Sequence, residues 1–553
     1  MAGERARPWE QSYPAGVRWD APIATSSLGR LIDRAAAFGA RAALEYRGRE
    51  ISYAELGGLV DRAAGALVRR GIGAGARVAL YLPNTPYYPV ALFGAAKAGA
   101  AIVPLSPLDA ERTLAMKLAD SGARTLVTTN AGNFYATARR LLDKGLLDRV
   151  IVGDDARFGA AAMANDDARV ARFSALLDES GETDYPAAGA DGVALIQYTG
   201  GTTGTPKGAL LSHANLTAAV SIYDAWARGS ELYRPGEDRV ICVLPLFHIY
   251  GLTCVLLRQL AAGNLILLRE RFDVAETVRD IEEKRATVFP GVPTMWSALA
   301  AFPGIEQRDL SSLRVPSSGA APLPPEVADR IERLFGKRLG GGWGMTETAP
   351  AGTGIPAGVN RPGTIGVPLP GIMIEVVALD DPRRVLAPGE TGELRIKGPN
   401  VTAGYWNRPE ENATAFVDGY LLTGDVGRMD ADGFFYLLDR KKDMIISGGF
   451  NVYPRVVEDA IYEHPAVAEA AVIGIGDPYR GEAAKAFVTL KPGAAPFTLE
   501  ELRDFLRDRL GRHELPAALE FRDSLPKTPV GKLARRELIA EERRAAAAAE
   551  AAQ

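Results

Sequence analysis

Short apolar runs that stop at a proline or a turn, each followed by a helical pattern, recur from about residue 28 to about residue 380. Val78-Ala79-Leu80-Tyr81-Leu82 stops at Pro83, a helix-like stretch runs from 90 to 97, and Ala101-Ile102-Val103 stops at Pro104. The pattern returns at 125–128, 150–152, 193–197, 239–244, 264–268 and 287–289. Strand-then-helix repetition predicts parallel sheets covered on both faces. Near 370 the texture changes. The runs 372–379 and 392–397 have strand character without long helices between them, which predicts a small antiparallel β unit. A dense charge run at 438–443 then reads as an exposed connection. The two-period runs 467–473 and 486–490 and the amphipathic stretches 456–462 and 499–510 beyond it predict a small α+β domain.

The expectation is an α/β chain. Its large amino-terminal domain, 1–439, holds α/β/α-layered sheets plus the small β unit. A hinge at 440–442 joins it to a small α+β carboxyl-terminal domain, 443–540. The Ala/Glu/Arg tail, 541–553, reads as a frayed helix or disordered. A chain of 553 residues is too long for one core in any case.

Composition excludes several classes. The 64 basic and 68 acidic residues nearly balance, and no basic stripe interleaved with aromatics marks a nucleic-acid surface. Two cysteines, Cys242 and Cys254, make neither a disulfide framework nor a thiolate zinc site, and they fit a reducing cytosol. Four scattered histidines give no metal cluster. The amino terminus lacks the apolar core of a signal peptide, and the apolar stretches are broken by Lys97 and Arg258, so no spanning helix is expected. Peripheral membrane contact and oligomeric state, a homodimer included, stay open.

The densest chemical signal is residues 198–208, Tyr-Thr-Gly-Gly-Thr-Thr-Gly-Thr-Pro-Lys-Gly, directly after the apolar run Val193-Ala194-Leu195-Ile196. Glycines let backbone N–H groups approach an anion, threonine hydroxyls add donors, and Lys207 adds charge, which together make a phosphate cradle. Lys207 follows Pro206 and precedes Gly208, so the Gly-Lys-Ser/Thr ending of a P-loop NTPase is missing.

This segment resembles the phosphate-binding signature of the adenylate-forming enzymes, the superfamily of acyl-CoA synthetases, aryl-CoA ligases, luciferases and peptide-synthetase adenylation domains. Further motifs agree with that resemblance in order. It implies a cofactor cradle at Thr199, Gly200, Gly201, Thr202, Thr203, Gly204 and Lys207. His248, in Leu244-Pro245-Leu246-Phe247-His248-Ile249-Tyr250-Gly251, is implied to stand near the carboxylate. Gly319, Ala320 and Ala321 would let adenine and substrate lie flat against a turn. In Gly340-Gly341-Gly342-Trp343-Gly344-Met345-Thr346-Glu347-Thr348 the resemblance puts an aromatic beside adenine, Thr346 on the α-phosphate and Glu347 on Mg²⁺, a hard cation that prefers oxygen ligands. Gly342 and Gly344 flank Trp343, where the family usually has tyrosine.

Asp425 and Arg440 match the residues that contact ribose, and Lys442 falls on the hinge position. Gly448 and Gly449 match the loop that opens a passage for the pantetheine arm of CoA. Lys532, in Pro526-Lys527-Thr528-Pro529-Val530-Gly531-Lys532, matches the lysine that bridges carboxylate and α-phosphate.

The implied activity is a cytoplasmic, ATP- and Mg²⁺-dependent acyl-CoA ligase that acts on a carboxylic acid through an acyl-adenylate and passes it to coenzyme A. Its motifs are most similar to those of medium- and long-chain fatty acyl-CoA ligases. An aryl- or dicarboxylate-CoA ligase is an alternative, the latter if Arg258 meets a distal carboxylate rather than lying exposed on its helix. A module that loads a free-standing carrier protein is another. Ile249, Tyr250, Gly251, Leu252, Val255 and Leu256 form an apolar helix start that either lines an acyl channel or packs in the core.

Overall fold

The structure is a computed structural model that describes residues 7–154, 167–179, 189–199, 206–228, 230, 232–319, 325–448, 450–477, 479–527 and 533–551. Among the described residues the strands form four sheets. One runs in the order Val170–Arg172, Arg149–Gly153, Thr125–Thr129, Arg77–Leu80, Ala101–Pro104, Val193–Thr199, Lys207–Ser212. Its pairings are parallel until the last, where Val193–Thr199 and Lys207–Ser212 lie antiparallel. A second runs Val315–Ser318, Val288–Gly291, Arg239–Cys242, Leu265–Leu268, Ala42–Tyr46, Arg49–Ser52. It too is parallel except at its last pair.

The strand-helix alternation of the sequence is therefore what the chain builds. The helix Tyr87–Lys97 is buried on every side up to its last residue, as expected of a helix lying between two sheets. It shares one core with Tyr53, Val60, Val78, Leu195, Val240 and Ile266, drawn from both sheets and the neighbouring helix Tyr53–Arg69. Lys97 ends the buried run by pairing with Asp33 at 2.6 Å and with Asp61.

The third sheet is antiparallel, in the order Thr353–Gly354, Thr364–Pro368, Phe435–Arg440, Tyr420–Met429, Gly392–Lys397, Met373–Val377. It is the β unit expected after residue 370. It extends further, because Phe435–Arg440 carries the chain back into it and takes in the first half of the charge run. That run is consequently not a uniform exposed connection. Asp439 is a buried strand residue, whereas Lys441 and Lys442 are exposed.

The fourth sheet holds Ile445–Ser447, Phe450–Val452, Val467–Asp477, Gly481–Leu490 and Ala518–Phe521, packed with helices Pro454–Tyr462 and Leu499–Leu506 around a separate core that includes Val457, Ala470 and Val488. The last helix, Arg535–Ala551, runs across the boundary expected at 540/541. Its first turns are held to that sheet, where Glu542 pairs with Lys485 and Glu541 with Arg522 at 3.1 Å. Alanine, the best helix former, carries it on. The tail is thus helical as far as Ala551.

One buried histidine ties the amino-terminal helix to the first sheet. His213 opens the helix His213–Ala227, which Ser212 caps, and its Nδ1 accepts the N–H of Leu28 at 3.3 Å. Burial pushes the imidazole down to about 4 from its ordinary 6.5. A depressed histidine contributes stability that is complete above 6.5 and is lost as pH falls toward 4, because only the unfolded chain takes up the proton. The expected slope is about 1.4 kcal/mol per pH unit in that window. His213→Asn, which keeps an acceptor for Leu28, should flatten the urea-denaturation stability profile by that one-proton slope. An unchanged profile would show that His213 titrates normally.

Candidate active site

The site is assembled where the ends of strands from three sheets converge. Thr199 and Lys207 close the hairpin of the first sheet as register partners. Gly200, Gly201, Thr202, Thr203 and Gly204 lie outside the described residues. The same hairpin reaches the next motif through Gln197, whose Nε2 donates to the Phe247 carbonyl at 3.0 Å.

His248 follows, and its Nδ1 accepts the N–H of Tyr250 at 3.2 Å. In a neutral ring that leaves the proton on Nε2. The expected helix start is present at Ile249 and Tyr250 and continues from Gly251 as a π-helical turn, Gly251–Leu257. The turn closes so tightly that a Cβ at Gly251 would overlap the Pro245 carbonyl. Ile249, Leu252, Val255 and Leu256 are all fully buried in the main core.

Tyr250 packs against Gly319, where a Cβ would stand 2.9 Å from the ring, so glycine is needed at that turn. Ala320 and Ala321 lie outside the described residues. The 317–319 turn joins the glycine loop directly, since the Ser318 N–H donates to the Gly340 carbonyl at 2.9 Å. In that loop a Cβ on Gly342 would overlap the Thr353 carbonyl and one on Gly344 the Pro350 carbonyl. The spacing of glycines around Trp343 is therefore set by backbone contact as well as by room for a ligand.

Trp343 does more than present a flat ring. Its indole N–H donates to Asp425 Oδ2 at 2.8 Å, while Arg440 Nε pairs with Asp425 Oδ1 at 2.6 Å. Asp425 and Arg440 are direct cross-strand partners in the third sheet. The two residues matched to ribose contacts thus already hold one another.

Glu347 stands beside this pair. Burial pushes its carboxyl above the ordinary range, and a hydrogen bond from Tyr405 Oη at 2.9 Å partly offsets that. Thr346 precedes it in the short helical turn Thr346–Thr348. The ring of Tyr405 also lies 5.8 Å from Lys207 Nζ, which pairs with Glu411 at 3.2 Å.

The segment that supplies Tyr405 was missed from sequence. Asn400 donates from Nδ2 to the Thr348 and Ala351 carbonyls at 2.6 and 2.7 Å, and the Thr402 N–H donates to the Glu347 carbonyl at 2.7 Å. The Leu210 N–H donates to the Gly404 carbonyl at 2.9 Å, which pins the segment to the first sheet. Val-Thr-Ala-Gly-Tyr-Trp at 401–406 carries no charge cluster or glycine run to flag it; the one clue was a tyrosine and a tryptophan in a loop.

Arg258 is the other correction. It is not exposed but lies 4.3 Å over the Tyr233 ring and 3.4 Å from Asp224. The helix that carries it packs inward, so the cation is matched by a carboxylate and aromatic faces.

Of the remaining matched positions, Gly448 and Lys442 are described, and neither is bonded into this cluster. Gly448 sits at the tip of the hairpin between Ile445–Ser447 and Phe450–Val452, in the left-handed region at φ 59°, with its N–H on the Arg480 carbonyl at 2.8 Å. Gly449 lies outside the described residues. Lys442 is exposed beyond the end of Phe435–Arg440. Lys532 also lies outside the described residues, between Lys527 and Leu533, which pair with each other.

The oxygen set at Glu347 suits Mg²⁺. No group of three or more metal-ligating side chains occurs among the described residues. A magnesium ion asks for one or two carboxylates and takes its remaining ligands from phosphate and water. A buried carboxylate held above its ordinary range has unmet need for positive charge.

Two family descriptions match the chain, "AMP-binding enzyme" over residues 31–406 and "AMP-binding enzyme C-terminal domain" over residues 456–532. The chain is 37% identical over 558 residues to a long-chain-fatty-acid–CoA ligase of Bacillus subtilis (strain 168), covering 97% of this chain and 98% of the relative. It is 38% identical over 500 residues to a feruloyl-CoA synthase of an Amycolatopsis species, covering 90% of this chain and 95% of that one. The crystal structure of ATP-bound MatB from Rhodopseudomonas palustris superposes with a TM-score of 0.82 at 30% identity, covering 92% of this chain and 98% of the other.

Glu347→Gln separates the two consequences of the buried carboxylate. At neutral pH a raised carboxyl costs stability, and that cost fades as pH falls through its folded pKa. The variant should therefore melt higher than the wild type at pH 7.5 without nucleotide, and the gain should shrink at pH 5. Adenylation, read as pyrophosphate release, should fall on the order of 100-fold. A gain of equal size at both pH values would mean that the carboxylate is not strained by burial.

Proposed function

The chain belongs to the AMP-binding enzyme family, and on that premise we propose that it is an ATP-dependent, AMP-forming acid–thiol ligase that activates a medium- or long-chain fatty acid and transfers it to coenzyme A. The observation that carries the chemistry is the convergence of separated motifs on one cluster, in which Trp343, Asp425 and Arg440 are bonded together beside Glu347, Tyr405 and Lys207.

In the first half-reaction a carboxylate oxygen of the substrate attacks the α-phosphorus of ATP. A P–O bond to the acyl group forms, the bond to the bridging oxygen breaks, and pyrophosphate leaves. Mg²⁺, when bound through Glu347, neutralises charge on the triphosphate. Lys207 and the 199–204 loop hold phosphate oxygens, and Thr346 donates to the α-phosphate. Lys532 offsets the charge that builds between carboxylate and phosphate. Asp425 and Arg440 exchange part of their mutual bonding for the ribose hydroxyls.

In the second half-reaction the thiol sulfur of CoA attacks the acyl carbonyl, loses its proton, and expels AMP. The unit of residues 443–540 turns about Lys442 between the two steps, so that Lys532 gives way to a thiol passage beside Gly448 and Gly449. His248, whose Nδ1 accepts the N–H of the Tyr250 that packs on Gly319, stands on the acyl side.

The likeness to the fatty-acid relative spans nearly the whole chain and supports an aliphatic substrate. A second reading, an aryl-CoA ligase, is favoured by Tyr250 packing on Gly319 and by the feruloyl-CoA synthase likeness. Arg258, matched by Asp224, is a poor candidate for a distal carboxylate. We place the enzyme in the cytoplasm, in keeping with its free cysteines; among the described residues no helix is long and apolar enough to cross a membrane.

Pyrophosphate release with CoA, over fatty, dicarboxylic and aromatic acids, tests the substrate class. Each buried methylene contributes about 0.8 kcal/mol, so kcat/KM should climb about fourfold per carbon until the pocket fills. A flat series, or a preference for benzoate-like acids, would move the assignment to the aryl reading.

Two variants test the alternation. Lys532→Ala should abolish adenylation and leave thioester formation from presynthesised acyl-adenylate largely intact. Lys442→Pro fixes φ at the joint and should keep pyrophosphate exchange while CoA-dependent turnover collapses. Equal loss of both half-reactions in either variant would count against the alternation.

A further inference from the structure

Asp439 stands where the carboxyl-terminal unit meets the rest of the chain. Successive residues of a strand face opposite ways. In Phe435–Arg440, Arg440 turns toward Asp425, and Asp439 turns toward the carboxyl-terminal unit. Its Oδ2 accepts the N–H of Arg455, at the start of the helix Pro454–Tyr462, at 2.6 Å. Its Oδ1 accepts from Arg535 Nη1 at 3.0 Å.

Arg535 is held on its other sides as well. Its Nε donates to Glu458 Oε1 at 2.9 Å, Nη2 donates to Oε2 of the same carboxylate, and Asp443 Oδ2 lies 3.8 Å away. Glu458 in turn accepts the Val472 N–H at 2.7 Å, so the Glu458–Arg535 pair is built into the carboxyl-terminal unit itself. One carboxylate before residues 440–442 and two after them therefore bracket a single, largely buried guanidinium.

We propose that the Asp439–Arg535 ion pair is a latch on the joint, and that Arg535 is a positioning residue that sets how readily the carboxyl-terminal unit leaves the arrangement seen here. The inference rests on the two-step reading above and adds the contact that times it. Stripping every partner from a buried cation is strongly unfavourable. Glu458 and Asp443 keep Arg535 matched when Asp439 lets go, so release costs the Asp439 bonds to Arg535 and to the Arg455 N–H and orphans no cation. A joint built this way has two states near enough in energy to exchange. Arg535 also lies three positions after Lys532, so the latch fixes the base of the segment that carries that lysine.

Trypsin reads the latch without substrate, because Arg440, Lys441 and Lys442 are all cleavage sites at the joint. Asp439→Asn keeps an acceptor for the Arg455 N–H and removes the ion pair. It should speed nicking at 440–442 about tenfold, equivalent to about 1.4 kcal/mol, at an unchanged melting temperature. Arg535→Lys, which retains the charge but not the forked geometry, should give an intermediate rate. Combined with Asp439→Asn it should add less than the product of the two single effects, since both remove the Asp439–Arg535 contact. Nicking of Asp439→Asn at the wild-type rate, or multiplicative effects in the double variant, would overturn the latch.

The ratio of pyrophosphate exchange to thioester formation from presynthesised acyl-adenylate should also move at least fivefold in Asp439→Asn. Faster nicking with an unmoved ratio would uphold the latch and overturn the alternation it serves.

Discussion

The cross-strand pair of Asp425 and Arg440 is the contact on which the site depends. Asp425 is 3% exposed, and a carboxylate so buried needs both charge and hydrogen bonds. Arg440 supplies the charge, and the Trp343 indole and the Asp425 backbone's own bond to Thr423 complete the setting. The pairing draws the glycine loop of the second sheet onto the third sheet, so two layers that share no strand meet at one carboxylate. Trp343 is suited to this in a way tyrosine is not, since indole N–H is a donor only and cannot compete for Arg440.

Around that contact the backbone, more than the side chains, fixes the geometry. The segment 398–406 is stitched to Thr348, Ala351 and Glu347 on one side and to Leu210 and Gly208 on the other. It thereby holds Tyr405 between Glu347 and Lys207, the groups with most to gain from a triphosphate. The Glu347 carboxylate on the Thr346–Thr348 turn and the Lys207 ammonium on the first sheet are kept from collapsing on each other, because Lys207 is drawn to Glu411 instead. The result is a pre-separated set of charges, which costs little to reorganise when a charged ligand arrives.

Much of this was legible in the sequence, and the limits have physical causes. The alternation of apolar runs and helices marked eight of the thirteen described strands of the two mainly parallel sheets, because a strand buried on both faces has to be apolar throughout, and it left the edge pair Ala42–Tyr46 and Arg49–Ser52 among those unmarked. The glycine loops announced themselves because a missing Cβ is a sequence fact. The 401–406 segment did not, since its work is done by main-chain bonds that any residue can make. Asp439 was read as part of an exposed charge run, and one strand register put it in a buried pair while leaving Lys441 and Lys442 in solvent. Arg258 was misread for a related reason: its partners Asp224 and Tyr233 come from elements distant in sequence, and only packing brings them together. The π-helical turn at Gly251–Leu257 follows from the close approach of Gly251 to Pro245, which no periodicity reports.

Asp439 and Arg440 are adjacent residues with opposite loyalties, and this places two events one peptide bond apart. Arg440 is bonded into the nucleotide side of the site, and Asp439 into the carboxyl-terminal unit. The strand that carries both is held by its pairing with Tyr420–Met429, including the register shift between Val426 and Gly427. A ligand that draws Arg440 off Asp425 therefore loads the strand at the residue beside the Arg535 contact. On the alternation proposed above, the strand residue Asp439 adjoins the 440–442 segment that would turn, which couples the charge on Arg440 to that joint. An enzyme that performs adenylation and thiol transfer at one place has to make its second arrangement conditional on the first product. A dipeptide with one side chain on Asp425 and the other on Arg535 would, under the proposed alternation, be a short physical route to that condition.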